Sequence, residues 1–275
     1  MTTPVILGFS GDLNTSVALA HLRDQGAVVV TLTLDLGQGV DLEEVRARAL
    51  GLGAVRAHVL DARDEFARDC VLPALQSGAF HDARSPISHI AHPLIARKLV
   101  EVASIEKADA VAHGGDPADH ASIQAAVTAV DSHLQVIAVT ASLATTREER
   151  VAYALEHAIP STADVRTRRR PGRHIDTPAH LDVRFESGVP VSVNDVAMPL
   201  VELMESLETI AADHGIGGGL SPSAPLAAEV PGAVVLADAY GALTRGAATL
   251  PTGVVRVRLF QGEHSVVGHS PVALR

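Results

Sequence analysis

The chain has 275 residues, of which 47% are hydrophobic and only 3% aromatic, and its formal net charge is −10. The acidic balance excludes non-specific nucleic-acid binding, which needs a basic surface. A single cysteine, Cys70, excludes an internal disulfide and a cysteine-based zinc site. No run of about 18 apolar residues occurs and no signal-like segment precedes Val5, so a soluble, cytoplasmic protein without membrane contact is expected.

In chain order, Pro4 to Leu7 predicts a strand, and Thr15 to Gln25 a helix that Gly26 ends. Ala27 to Leu34 is a continuous Val/Thr/Leu run, as in a strand buried on both faces. Asp41 to Leu52 predicts a charged helix capped by Asp41. A third strand over Ala54 to Leu60 precedes helices over Asp64 to Gln76 and Pro93 to Lys107. Ala108 to Ala112 and Leu134 to Val139 complete a set of five strands. This alternation predicts a parallel sheet with helices on both faces. Right-handed crossovers gather the strand C-terminal ends, where ligands bind, on one edge. The loops 8–16, 34–38 and 113–119 fall there.

The pattern changes after residue 160. Five arginines within 166–173, interrupted by Pro171 and Gly172, suit a linker or an anion contact. Beyond them, Leu181 to Phe185, Val189 to Val193, Ala233 to Leu236, Val254 to Phe260 and Ser265 to Gly268 predict strands. Ser187-Gly188 and Gln261-Gly262 are hairpin-turn signals, and Val201 to Asp213 predicts an amphipathic helix. The expected organisation is α/β: a parallel-sheet nucleotide-binding domain over 1–165, then a smaller α+β domain over 174–275, mainly antiparallel.

The candidate site begins at Gly8-Phe9-Ser10-Gly11-Asp12-Leu13-Asn14-Thr15-Ser16, a Ser-Gly turn between the first strand and a helix. A helix N-terminus leaves N–H groups unpaired and carries partial positive charge, so it accepts anions. Hydroxyls at Ser10, Thr15 and Ser16 add donors. The turn lacks the Gly-Lys-Ser/Thr of a Walker loop and the later glycines of a dinucleotide fingerprint. A pyrophosphate cradle and an ordinary capped βα turn both fit it. Asp116 and Asp119 supply the hard oxygen ligands that hold Mg²⁺ with phosphates, or else make local turns. Among the 14 histidines, His89 and His92 stand three apart and His113 and His120 bracket the loop after the fourth strand, without a metal-binding helix signature, which suits a polar ligand better than zinc. Cys70 lies mid-helix and no Gly-x-Ser-x-Gly elbow exists, so no covalent nucleophile is expected.

These residues resemble the argininosuccinate synthase family of the PP-loop ATP pyrophosphatase superfamily. Ser10-Gly11-Asp12-Leu13-Asn14-Thr15-Ser16 stands where the family loop reads Ser-Gly-Gly-Leu-Asp-Thr-Ser. Asp35-Leu36-Gly37-Gln38, Pro93 to Lys98 and Ala108 to Gly114 match further family segments, as do Gly188 to Val191, His214 to Gly217, and Val257 to Gly262. The resemblance implies ATP and Mg²⁺, adenylation of a ureido or carbonyl oxygen with release of pyrophosphate, and attack by an amine such as that of aspartate. It implies a ligase of arginine biosynthesis with small amino-acid-like substrates, working as a homo-oligomer. It places ATP at Phe9, Ser10, Gly11, Asp12, Leu13, Asn14, Thr15, Ser16, Leu34 and Gly114, substrate at Ser88, Asp119 and Ser122, and Mg²⁺ near Asp116. The departures fall inside the site. Asp12 replaces Gly, Asn14 replaces Asp, and Ser122 replaces an Arg that would clamp a carboxylate. They imply a substrate other than citrulline, with a catalytically inactive descendant that binds nucleotide or a partner as the alternative. A sulfur-transferring or amidating PP-loop enzyme is a weaker reading, and the single mid-helix Cys70 argues against the sulfur version. Ending at Arg275 leaves no room for the long helix that ties family tetramers, which implies a dimer or another assembly.

Overall fold

The computed structural model describes residues 3–79, 87–115, 117–143, 146–160, 175–216, 230–244 and 250–271. By contacts the chain divides into two units. The first is Met1–Asp35, Val40–Ala62 and Ala91–Arg169; the second is Leu36–Gly39, Arg63–Ile90 and Arg170–Arg275.

The first unit is built on β1 (Val5–Gly8), β2 (Val29–Asp35), β3 (Arg56–Asp61), β4 (Ala110–His113) and β5 (Gln135–Ala138). All neighbours are parallel and the order is β3-β2-β1-β4-β5. The first crossovers build outward from β1 to β3, and the chain then returns to place β4 on the other side of β1. The edge between β1 and β4 is therefore the topological switch point, where such sheets bind ligands. β2 is buried along nearly its whole length, so its Val-Val-Thr-Leu-Thr-Leu run needs no polar face.

Helix α1 (Leu13–Asp24) buries Val17, Ala18, Leu19, Ala20 and Leu22 in the core with Leu7 and Val29. Each large aliphatic side chain so buried contributes about 1.5–3 kcal/mol. Gly26, at φ 82°, ends the helix, with Ala27 N–H donating back to Leu22 O. α2 (Leu42–Gly51) starts on Asp41, whose carboxylate accepts from Glu43 and Glu44 N–H.

The predicted helix over Asp64 to Gln76 is three pieces: α3 (Arg63–Glu65), a π-helical segment (Phe66–Val71) and α4 (Leu72–Ser77). Pro73 explains the widening. It has no N–H for the carbonyl four residues back, and its ring crowds that carbonyl. Cys70 is buried there, outside any disulfide. These pieces group with the second unit, so the contact division is not contiguous in sequence. α5 (Ile87–Glu106) starts before the predicted Pro93, which lies inside the helix. α6 (Pro117–Val130), α7 (Val139–Leu143) and α8 (Arg147–Glu156) complete the first unit. A Thr146–Glu149 capping box opens α8.

The second unit holds an antiparallel sheet of β6 (Ala179–Glu186), β7 (Val189–Val193), β8 (Val196–Ala197), β9 (Gly253–Phe260) and β10 (Glu263–Pro271), ordered β10-β9-β6-β7-β8. Ser187-Gly188 and Gln261-Gly262 make the predicted hairpin turns, all four residues having positive φ. α9 (Leu200–Asp213) buries Leu203, Met204, Leu207 and Ala211. The predicted strand over Ala233 to Leu236 is instead part of α10 (Pro231–Thr244). A short apolar run has no period that tells a buried strand from a buried helix, and here the run is buried nearly all round. α9 and α10 pack so closely that a Cβ on Gly232 would lie 2.7 Å from Glu208 N. The fold is thus a parallel α/β domain with an antiparallel α+β unit. The arginine-rich stretch 166–173 and the Gly/Ser/Pro stretch 217–225 lie outside the described residues.

Candidate active site at the sheet edge

The β1–α1 loop forms because Gly11 takes φ 78° and Asp12 caps α1. Asp12 Oδ1 accepts both the Thr15 N–H and the Thr15 hydroxyl, each at 2.8 Å. Because the Thr15 hydroxyl donates to Asp12, the Ser10 hydroxyl 3.1 Å away donates to Thr15 Oγ1, which also accepts Ser10 N–H at 3.3 Å. Hydroxyl hydrogens thus point from Ser10 to Thr15 to the Asp12 carboxylate. The loop's own anion holds the donors that a phosphate needs. The Leu13 and Asn14 N–H groups, in the first turn, have no helical acceptor.

Behind the loop, Ser16 is completely buried, and its Oγ accepts from Arg48 Nε at 3.1 Å. Arg48 Nη2 also donates to Pro160 O. The Ser16 hydroxyl therefore ties α1 to α2 at the back of the loop. Phe9 is buried, with its N–H on Leu32 O and its carbonyl accepting the Thr33 hydroxyl. Leu34 is buried near the end of β2.

β4 ends at His113, and Gly114 packs directly on the loop. A Cβ there would lie 3.0 Å from Asn14 C, Asn14 O and Thr15 N. The Gly115 carbonyl accepts the Thr140 hydroxyl at 2.8 Å, which pins the turn. His113 Nδ1 accepts the Gly115 N–H at 3.1 Å, so its proton sits on Nε2, 3.1 Å from His120 Nδ1. Burial, and then the neighbouring His120, push the His113 pKa down to about 4, so the ring is neutral at physiological pH. His92 Nδ1 meets Ser122 Oγ at 2.9 Å, and its Nε2 lies 3.8 Å from the buried Asp119 carboxylate.

The structure brings Asp119 and Ser122 together with His92, a contact between α5 and α6 with no signature in sequence. It also places His113 and His120 side by side from a strand end and the following helix. The sequence pointed to these histidines only as partners of a polar ligand, with no role for any one of them, and it did not point to Arg48. Ser88 lies in the first turn of α5, in the second unit; its side chain is outside the described atoms, as is all of Asp116. Among the described residues no three His, Cys, Asp or Glu side chains gather to hold a metal, and no helix is long and apolar enough to cross a membrane.

The model of the "Arginosuccinate synthase N-terminal HUP domain" matches residues 4–160, and that of the C-terminal domain matches residues 150–219. The chain belongs to the argininosuccinate synthase family. It is 35% identical over 248 residues to argininosuccinate synthase of Geobacillus thermodenitrificans, covering 78% of this chain and 61% of that protein. The figures are 35%, 78% and 62% for the argininosuccinate synthase of Shouchella clausii. The chain thus spans about three-fifths of the length of these relatives. Among solved structures, the predicted subunit of a tRNA methyltransferase from Methanocaldococcus jannaschii shares 18% identity at a TM-score of 0.41, covering 56% of this chain and 76% of that one. The family assignment accounts for the βα alternation, the loop after β1 and the glycine after β4 on one scaffold.

Proposed function

We propose that the chain is an ATP-dependent carbon–nitrogen ligase of the argininosuccinate synthase type, acting on a substrate other than citrulline. The observation that carries this reading is the β1–α1 loop, set at the switch point between β1 and β4 with an α-helix N-terminus behind it. ATP supplies the adenylyl group: a substrate oxygen attacks the α-phosphorus, the bond to the leaving pyrophosphate breaks, and an amine then displaces AMP as the C–N bond forms.

The chain's part is positioning and charge stabilisation, which needs no covalent nucleophile. The Leu13 and Asn14 N–H groups face the pyrophosphate at once. The Ser10 and Thr15 hydroxyls and the Thr15 N–H join them when Asp12 turns away. Ser16 and Arg48 hold the loop from behind. Phe9 and Leu34 wall the adenine side, and Gly114 lets the β4 turn approach the loop. Asp119 and Ser122 would meet substrate, and Asp116 would hold the Mg²⁺ that neutralises the phosphates. The chain works as a cytoplasmic homo-oligomer, which sedimentation of the purified protein measures.

A second reading, a nucleotide-sensing or partner-binding descendant without catalysis, is favoured by one observation. Asp12 already occupies the donors of the loop. Calorimetry with ATP·Mg²⁺, followed by a pyrophosphate-release assay over ureido and amine pairs, separates the two. Binding with release supports the ligase, and binding without release for any pair supports the descendant. No binding at millimolar ATP removes the ligase and the nucleotide-sensing descendant, and leaves the partner-binding one.

A further inference from the structure

At the end of β4 two imidazoles are wired to the backbone in series. The Gly115 N–H donates to His113 Nδ1, so His113 carries its proton on Nε2. That Nε2–H points at His120 Nδ1, which must accept it. The rings lie 25° apart in plane, with centroids at 5.3 Å. His120 in turn carries its proton on Nε2. To take a second proton it must break the contact with His113, because Nδ1 is the only other position on the ring. Among the described residues no protein group hydrogen-bonds His120 Nε2, and the ring is half-buried at the end of the first turn of the helix that follows β4.

A half-buried backbone amide therefore sets the tautomer of a partly exposed side chain one imidazole away. The outcome is a single uncharged N–H donor on the ligand-binding edge of the sheet. A carbonyl or ureido oxygen needs only such a donor. A carboxylate leaving water needs a compensating cation, which a neutral imidazole does not supply. The negative field of Asp119, felt at His113, adds to that bias.

We infer that His120 donates its Nε2–H to the acceptor oxygen of the substrate, and that this end of the site selects uncharged carbonyl or ureido compounds over free carboxylates. His113 is the positioning residue. The inference rests on the ligase reading for the identity of that oxygen, but the tautomer and the binding preference stand on the geometry alone.

The test is nitrogen-15 NMR of histidine-labelled full-length protein near neutral pH, with His113→Gln and His120→Gln used for assignment. His120 is expected in the Nε2–H form. His113→Leu should release it to the mixed tautomers of free imidazole, and His113→Gln, whose amide still donates, should restore it. N-propylurea, added with and without α,β-methylene-ATP, should move the His120 Nε2 resonance. Acetate should bind about tenfold more weakly or worse, a difference of the size of one net hydrogen bond. His120→Ala should lower propylurea affinity by a similar factor without changing nucleotide affinity, and His120→Gln should recover most of it. A native His120 protonated on Nδ1, no response to propylurea in either condition, or equal binding of acetate overturns the inference. A response to propylurea from a protein that does not bind the nucleotide upholds it, and brings down the ligase reading instead.

Discussion

The two turns that meet at the switch point use opposite economies of hydrogen bonding. In the β1–α1 loop the donors are satisfied from within, since Asp12 takes the Thr15 N–H and hydroxyl directly and the Ser10 hydroxyl through Thr15. In the β4–α6 turn a backbone amide spends one donor on His113 and delivers another, on His120, with no protein acceptor among the described residues. One turn has an internal anion where the proposed function would seat a phosphate. The other is set to receive a neutral acceptor. On the proposed function, the fold brings both turns to one edge, while a single side chain decides whether a seat is open.

The contrast depends first on the two turns touching. Gly114→Val places carbon 3.0 Å from the loop backbone, where neither side has a flexible end to move. A loss of about 3 kcal/mol in chemical denaturation is expected, the upper range for overpacking, together with loss of ATP binding. An unchanged midpoint would mean the turns part freely.

The neutral state of His113 comes next. Its folded pKa of about 4 lies below the ordinary histidine value of 6.5, so the unfolded chain binds more protons between those limits. Stability is expected to be full above pH 6.5, to fall as pH drops toward 4, and to lose up to about 3 kcal/mol from this group. The charges of His120, Asp119 and His92 act on the ring. His113→Gln should flatten that slope in urea melts taken across the window; an unaltered slope would assign it to other groups.

A smaller effect is expected at Asp12, where the contrast is sharpest. Asp12→Gly removes the internal anion and should tighten ATP about tenfold by calorimetry. It should cost a few tenths of a kcal/mol of stability, because glycine is itself a tolerable cap. Weaker ATP binding in this variant would show that the carboxylate helps the nucleotide, as it would through a bridging cation. The smallest effect is expected behind the loop. Arg48→Ala removes the bonds to Ser16 Oγ and Pro160 O and should cost about 1 kcal/mol by thermal melt, with a modest loss of ATP affinity. A stability loss with unchanged ATP affinity would separate the brace from the loop.

Much of this was legible beforehand. Runs such as Val29 to Leu34, the cap at Asp41 and the paired turns at Ser187-Gly188 and Gln261-Gly262 carry their reasons within a few residues. The run Ala233 to Leu236 does not, because nearly uniform burial erases the period that would tell helix from strand. The loop after β1 was legible as a candidate anion seat, and Asp12 as an anomaly in it. That the anomaly folds inward to cap the helix was not.

The amino-acid sequence by itself determined the local chemistry of this protein: the α/β order, the loop type and the family. Backbone propensities and turn residues act over a handful of positions, so one chain suffices to read them. Only the tertiary structure decided what the site residues do. Arg48 reaches Ser16 across 32 positions, His92 reaches Ser122 across 30, and the tautomer of His120 depends on an amide N–H seen through His113. Hydrogen-bond direction and proton position are properties of atoms a few ångströms apart, and such neighbours exist only once the sheet has brought the strand ends to one edge.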